Sequence, residues 1–314
     1  MERRLLSPEE IASQAGSGIP FLVLPARGDV FRARADRLRQ LAPDHAMSDY
    51  LRFIAHVADA QQRSLDTSPP FRLPPPSALD ACREHGMPPL NVQTHARDPL
   101  WRDELRRLLR DVADAATGRQ REIVVALELS RDELYEAQAS KLVAGVTLGL
   151  DTATAPLIAA GLQVYFTHLA LALGEQAIVP TGVATLCPCC ASRPTAGVLR
   201  VGGASSGYRF LHCSMCSAQW HMVRVKCASC EGTKGISYLA LDDGGPPGRR
   251  TASAEVCDEC GSYLKLLSME SDPGVDAVAD DLATLALDLL VSETGRSPCG
   301  VNFMLLHGDS EAES

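Results

Sequence analysis

The sequence predicts an α+β protein: an N-terminal α-helical domain, then two small zinc-ribbon-like metal modules, then a C-terminal helix. Three observations predict it. Eight of the eleven cysteines form four C-x-x-C pairs within residues 187–260. The chain before them carries apolar residues at helical spacing. Near Pro180-Thr181-Gly182 the composition changes to short β-like stretches between Gly-, Ser- and Cys-rich turns. The expected divisions are 1–180 (helical domain), 181–226 (first module), 227–270 (second module) and 271–314 (C-terminal helix and tail). A hydrophobic content of 46% with only 5% aromatics suits an Ala/Leu-rich helical core.

Ser7-Pro8-Glu9-Glu10 reads as a helix start: Ser7 caps, Pro8 fits the first turn and Glu10 closes a capping box. No apolar signal core precedes it, so a cytoplasmic location is expected. Asp29–Ala42 predicts a helix with Val30, Ala33, Leu38 and Leu41 as its apolar positions, ended by Pro43. Ser48 is expected to cap a second helix through about Gln62, with Leu51, Ile54, Ala55 and Ala58 on one face. Residues 68–90 are Pro-rich and read as an extended connector. Asp98-Pro99 opens a helix whose apolar face is Leu100, Trp101, Leu105, Leu108, Leu109 and Val112. Ser130-Arg131-Asp132-Glu133 reads as a second capping box, leading into Leu134–Val143. Ala153–Leu173 is the most apolar run. It contains Gln163, Thr167 and His168, so a buried helix, stopped by Gly174, is favoured over a membrane span.

Strands are expected at 197–201, 208–211, 219–225, 236–241 and 263–267, with hairpin loops at 202–207 and 242–250. The result is an approximate repeat of knuckle, hairpin, knuckle, twice over. After Pro273-Gly274, an amphipathic helix from Val275 to about Val291 is expected to dock through Val278, Leu282, Leu285 and Leu289. The tail reads as frayed.

The cysteine pairs are Cys187/Cys190, Cys213/Cys216, Cys227/Cys230 and Cys257/Cys260, separated by 22, 10 and 26 residues. Two thiolates on a tight turn can face one cation, and a second such turn completes a tetrahedron. Reduced thiols in such groups favour metal over disulfides. Pairing in sequence order gives Cys187, Cys190, Cys213 and Cys216 for site one, and Cys227, Cys230, Cys257 and Cys260 for site two. A crossed pairing would require the 217–226 stretch to bridge both. Spacing does not separate iron from zinc. Cys189 sits inside the first knuckle; Cys82 and Cys299 lie far along the chain and read as small buried or half-buried thiols. His212 and His221 flank the second knuckle and read as structural, because eight cysteines already supply eight ligands.

A net charge of −9 argues against a general nucleic-acid or anionic-membrane binder, although the 187–270 region, with nine Lys/Arg and seven Asp/Glu, is near neutral. No nucleophile elbow, H-E-x-x-H, Walker loop or dinucleotide-binding glycine run is present. Asp280-Asp281 reads as a solvated face or partner contact rather than acid/base machinery. Two function classes remain open: a metal-bearing assembly factor, and a zinc-ribbon interaction or nucleic-acid module.

Four stretches carry a family resemblance. Phe210–Gly232 reads F-L-H-C-S-M-C-S-A-Q-W-H-M-V-R-V-K-C-A-S-C-E-G. Cys257 onward reads C-D-E-C-G-S-Y-L-K-L-L, then D-P-G-V-D-A-V-A-D-D-L-A-T-L-A-L-D. Upstream are Arg37-Leu38-Arg39-Gln40-Leu41 and Asp49-Tyr50-Leu51-Arg52-Phe53. Together they resemble the formate dehydrogenase accessory protein FdhE family over nearly the whole chain. The first knuckle departs from the family's C-P-x-C-G: Cys189 fills the variable position and Ala191 replaces the Gly. The resemblance implies a non-enzymatic cytoplasmic maturation factor with two rubredoxin-like iron sites on these C-x-x-C pairs. It also implies a client, the catalytic subunit of molybdenum-dependent respiratory formate dehydrogenase. It suggests that Trp220–Lys226 fixes the geometry between sites or forms part of the client surface. Self-association stays open.

Overall fold

A computed structural model describes residues 18–202, 205–241 and 250–306. The expected helix start at Ser7–Glu10, positions 203–204 of the first hairpin loop, 242–249 of the second and the tail from 307 lie outside the described residues.

Seven helices of four residues or more precede the cysteine region among the described residues. They are α1 (Val30–Leu41), α2 (Ser48–Thr67), α3 (Pro76–Glu84), α4 (Leu100–Ala115), α5 (Gly118–Glu128), α6 (Asp132–Ala144) and α7 (Ala155–Leu173). The centre of the layer is α7, whose residues from Ala155 to Ala170 are all buried. It is long and apolar enough to cross a membrane, but it packs inside the protein among α2, α4 and α6. Gly161 permits the close approach of α4, since a Cβ there would lie 2.8 Å from Leu105 Cδ1.

Helix α2 buries the expected Leu51, Ile54, Ala55 and Ala58. On α4 the face from Trp101 to Val112 is buried, while Leu100 is exposed. The buried face of α1 differs from the expected one: Phe31, Arg34, Ala35, Arg37 and Leu38 point inward and Ala33 outward. The reason lies 240 residues away, where Asp276 and Asp280 supply carboxylates for those two arginines. The Pro-rich connector contains α3, which starts at its third consecutive proline and buries no residue. Helix α5 buries only Val124 and Leu127, too little to print an apolar stripe on the sequence. Of the expected serine caps, the two within the described residues, Ser48 and Ser130, do not form. Met47 precedes α2, and Ser130 Oγ donates back to the Ala126 carbonyl. Just before α4, the Asp98 carboxylate accepts from Leu100 N at 3.1 Å.

Beyond Pro180 the strands are β2 (Pro194–Leu199), β3 (Arg209–Cys213), β4 (Gln219–His221), β5 (Ile236–Leu239), β6 (Ala252–Cys257) and β7 (Ser262–Ser268). They share one sheet in the order β1-β4-β3-β2-β7-β6-β5, with β1 (Leu22–Val23) joining from the N-terminal segment. Within each half the pairing is antiparallel. The halves fuse where β2 runs parallel to β7, with Gly197 opposite Leu266. A Cβ at Gly197 would meet Leu266 Cδ1 at 3.0 Å, so glycine suits that seam. Strand β4 stops at His221, short of the expected 225. Arg209 Nη2 claims the carbonyls of Val223 (2.7 Å) and Lys226 (2.6 Å), which therefore cannot extend a ladder.

The C-terminal helix is broken in two, α8 (Ala277–Ala283) and α9 (Leu285–Glu293). Lys265 Nζ takes the Asp281 carbonyl at 2.5 Å and so interrupts the helical ladder at Thr284. The break resets the apolar face. Val278 and Leu282 are buried as expected, but Leu287 and Val291 replace Leu285 and Leu289, and Leu289 is exposed. The short β8 (Ser297–Pro298) then pairs with β7.

Asp280 and Asp281 are buried, which corrects the expectation of a solvated face. Asp280 receives Arg37 Nε at 2.9 Å and Nη2 at 2.6 Å. Asp281 pairs with Lys265 Nζ at 3.0 Å and accepts from Asn302 Nδ2 at 2.9 Å. Both carboxyls are pushed up by burial against the pull of their cationic partners.

Candidate metal centres

Each knuckle is one repeated backbone device. The second cysteine of every pair is followed by a residue in the left-handed region: Ala191 (φ 61), Ser217 (φ 57), Glu231 (φ 60) and Gly261 (φ 68). That conformation turns the chain back, so that the amides after the first cysteine point at its sulfur. Met215 N and Cys216 N lie 3.4 Å from Cys213 Sγ, and Ser229 N lies 3.3 Å from Cys227 Sγ. The turn is closed by bonds such as Ala191 N to Cys187 O (2.8 Å) and Cys187 N to Ser192 O (2.9 Å).

The structure brings the eight cysteines together in two groups of four, in sequence order: Cys187, Cys190, Cys213 and Cys216, then Cys227, Cys230, Cys257 and Cys260. Within each group the sulfurs lie within 4.8 Å of one another. The nearest cross-knuckle approaches are Cys187–Cys216 at 3.6 Å, Cys190–Cys213 at 3.3 Å, Cys227–Cys260 at 3.7 Å and Cys230–Cys257 at 3.8 Å. Metal–sulfur bonds of about 2.3 Å would separate the corners of a tetrahedron by about 3.8 Å. The four-sulfur cradles therefore fit a tetrathiolate ion, and all eleven cysteines are free thiols. Four neutral thiols packed together in apolar surroundings gain nothing from their arrangement, whereas a cation would stabilise them as thiolates.

The two groups differ in their setting. The first is fully buried in the same apolar cluster as the helices. Leu90 N donates to Cys189 O and Val92 N to Cys190 O, both at 3.0 Å. Gln163, a polar interruption of α7, accepts from Gln61 and donates to Ser214 O at 2.8 Å, inside the second knuckle. Burial drives the Cys187 and Cys216 thiols well above their usual range. In the second group Cys227 and Cys257 are buried, but Cys230 and Cys260 are exposed. Burial pushes Cys260 up, yet hydrogen bonding from Ser262 outweighs it and holds the thiol at about 6.

The other candidate ligands stay outside both groups. His212 is buried and pushed down to about 4, first by burial and then by the charge of Arg34. His221 packs edge-on to Tyr208. Cys189 is fully buried with its thiol toward Cys216, and Cys82 is half-buried. Cys299, remote in sequence, lies in the same neighbourhood as Cys227 and Cys257, and burial pushes it up to about 12. Its proximity has no local sequence signal, because the parallel β7–β8 pairing creates it.

Ala191 carries a Cβ where the backbone favours glycine. Ala191→Gly is expected to raise stability by about 1 kcal/mol by relieving the left-handed strain. A denaturant midpoint unchanged or lowered in the metal-loaded protein would contradict this.

Three family models match in succession: "FdhE, N-terminal" over residues 19–183, "FdhE, central domain" over 186–224 and "FdhE, C-terminal domain" over 225–305. The chain is 41% identical over 312 residues to a protein named FdhE homolog from Pseudomonas aeruginosa, covering 98% of this chain and 99% of that one. It is 34% identical over 315 residues to the protein named FdhE from Salmonella dublin, covering 99% and 100%. The crystal structure of the FdhE protein from Pseudomonas aeruginosa superposes with a TM-score of 0.81 at 38% identity, covering 92% of this chain and all of that chain. The fold is thus shared over nearly the full length, and the chain belongs to the FdhE family.

Proposed function

We propose that this protein is a cytoplasmic maturation factor for respiratory formate dehydrogenase, with no turnover of its own. It holds two iron ions, one on Cys187, Cys190, Cys213 and Cys216, the other on Cys227, Cys230, Cys257 and Cys260. Its client is the catalytic subunit of the molybdenum-dependent enzyme. A tetrathiolate iron supplies a one-electron couple tuned by burial and by N–H groups directed at sulfur. The protein's own residues provide the rest: they gather the thiolates, keep water from site one and present site two at the surface. The chain is read as a helical part (1–180), two rubredoxin-like modules (181–226 and 227–270) and a C-terminal part (271–314). The family-model limits at 183/186 and 224/225 support the first two divisions.

The observation that carries this reading is the asymmetry between the sites. Two of the four sulfurs of site two face solvent. The loop leading into it exposes Val223 and Val225. Arg209 fixes that loop from below, paired in turn with the buried Glu255. A rigid apolar rim beside an exposed metal suits contact with a client. A strain lacking the protein should have little respiratory formate dehydrogenase activity, restored by the wild-type chain and poorly by Cys230→Ser/Cys260→Ser. Full restoration by that variant, shown to have lost one metal, would contradict the proposal.

The same asymmetry predicts an order of metal loss. A chelator reaches site two directly but site one only after local opening, and each 1.4 kcal/mol of opening free energy is about tenfold in rate. Release in two phases is expected, at least about tenfold apart, with Cys260→Ser deleting the fast one. A single phase in the wild type would contradict it.

A further inference from the structure

A cavity of about 220 Å³ lies where the three family parts meet. Its walls come from the segment before α1 and its first turn (Val23–Ala33), from β2–β4 (Val198, Arg200, His212, Ser217, Gln219) and from the chain around Asp276. Three buried side-chain polar atoms without a partner belong to residues that line it, His212 Nδ1, Arg200 Nη1 and Gln219 Oε1, and two more, Arg34 Nη1 and Nη2, lie behind its wall. Arg34 belongs to this group because its Nε bonds the Asp276 carboxylate on the cavity wall, at 3.3 Å, and its charge acts on His212. Arg34 is 1% exposed and His212 is 5% exposed. A buried guanidinium with both terminal nitrogens unpaired is costly, because each missing hydrogen bond leaves a desolvated donor.

The chemistry of the vacant positions selects the ligand class. Arg34 and Arg200 are obligate donors. Imidazole nitrogen and carboxamide can each be turned to donate as well. The one carboxylate adjoining Arg34 is already engaged, since Asp276 Oδ1 also accepts from Val278 N and Ala279 N at the start of α8. Donors therefore outnumber acceptors around the cavity. A single water accepts only two hydrogen bonds, whereas a compact oxyanion accepts from several directions at once and balances cationic charge. The opposing charges facing the cavity are Asp276 and Asp29, and Asp29 sits at the exposed rim.

We propose that this cavity binds a small tetrahedral oxyanion of the phosphate or sulfate type, held by Arg200 and His212 and balanced by the buried charge of Arg34 behind the wall. Such an anion staples the helical layer to both halves of the sheet without touching either cysteine group. It stabilises the folded chain by mass action.

The test uses the full metal-loaded chain. Inorganic phosphate, then sulfate, is titrated by calorimetry against chloride at matched ionic strength. Saturable binding at one site per chain is expected with the oxyanions and not with chloride. Arg200→Met removes a donor that forms no ion pair among the described residues, and is expected to weaken phosphate about tenfold, the worth of one charge-assisted hydrogen bond. Crystals soaked in selenate should show one anomalous peak beside Arg200 and His212. No saturable binding, equal affinity in Arg200→Met, or only water density in the cavity would each overturn the proposal.

Discussion

Asp280→Ala should lower the stability of the metal-loaded protein by about 3–5 kcal/mol, the usual cost of stranding one member of a buried ion pair. Asp280 is 3% exposed and takes two bonds from Arg37, whose other partners among the described residues are the half-exposed Asp272 and, at 3.5 Å, Gln40. It also accepts from Asp276 N at 2.8 Å, ordering the start of α8. The pair joins α1 to α8 across 243 residues of sequence, so its loss loosens the docking of the C-terminal part on the helical layer. Removing both charges should restore much of the loss, because replacing a buried pair by apolar groups of similar volume is often neutral. Urea unfolding of Asp280→Ala and of Arg37→Met/Asp280→Leu checks this. A single variant within about 0.5 kcal/mol of wild type would show that the pair does not hold this junction.

A second large effect is expected from Cys213→Ser. Cys213 is 1% exposed and shares its apolar cluster with Leu105, Ile158 and Leu162 of the helical layer. Loss of that ligand removes one metal and leaves three thiols in the core. Structural tetrathiolate sites contribute about 10–16 kcal/mol of binding free energy that is largely folding free energy. The helical signal of Cys213→Ser should therefore melt well below that of wild type. Cys260→Ser, at the exposed site, should lose one metal and keep the helical melt nearly unchanged. Thermal melting followed by far-ultraviolet circular dichroism, with metal content measured on the same samples, separates the two. Equal melts for the two variants would contradict the distinction between a buried and a surface site. The helical part is coupled to this site because Gln163 and the 90–92 segment bind the knuckles of site one directly.

The metal centres were legible in the sequence because their chemistry is local. Two thiols three residues apart announce a knuckle whatever surrounds it, and hairpin-sized intervals indicate sequential pairing. The long amphipathic helices were legible for the same reason, α2 and the Trp101–Val112 face of α4 above all. What escaped depends on partners remote in the chain. Arg34 and Arg37 were not among the expected inward positions of α1, because Asp276 and Asp280 are needed to bury them. The parallel seam between β2 and β7 leaves no mark on either strand's composition, so the joining of the two modules into one sheet was not legible. Strand β6 was missed as an element, since Ala252–Cys257 mixes Ala, Ser and Glu and is buried by the sheet and α9 rather than by its own pattern. The break at Thr284 comes from Lys265 reaching across from β7, which no helical periodicity encodes.

The central claim is that each group of four cysteines holds its own metal ion as a tetrathiolate. Native mass spectrometry of the intact chain, purified without oxygen and without added metal, tests it most directly. The account predicts a mass increment of two iron ions per chain, falling to one in Cys260→Ser. A chain carrying no metal, with its mass lowered by the hydrogens lost to disulfides, would contradict the claim.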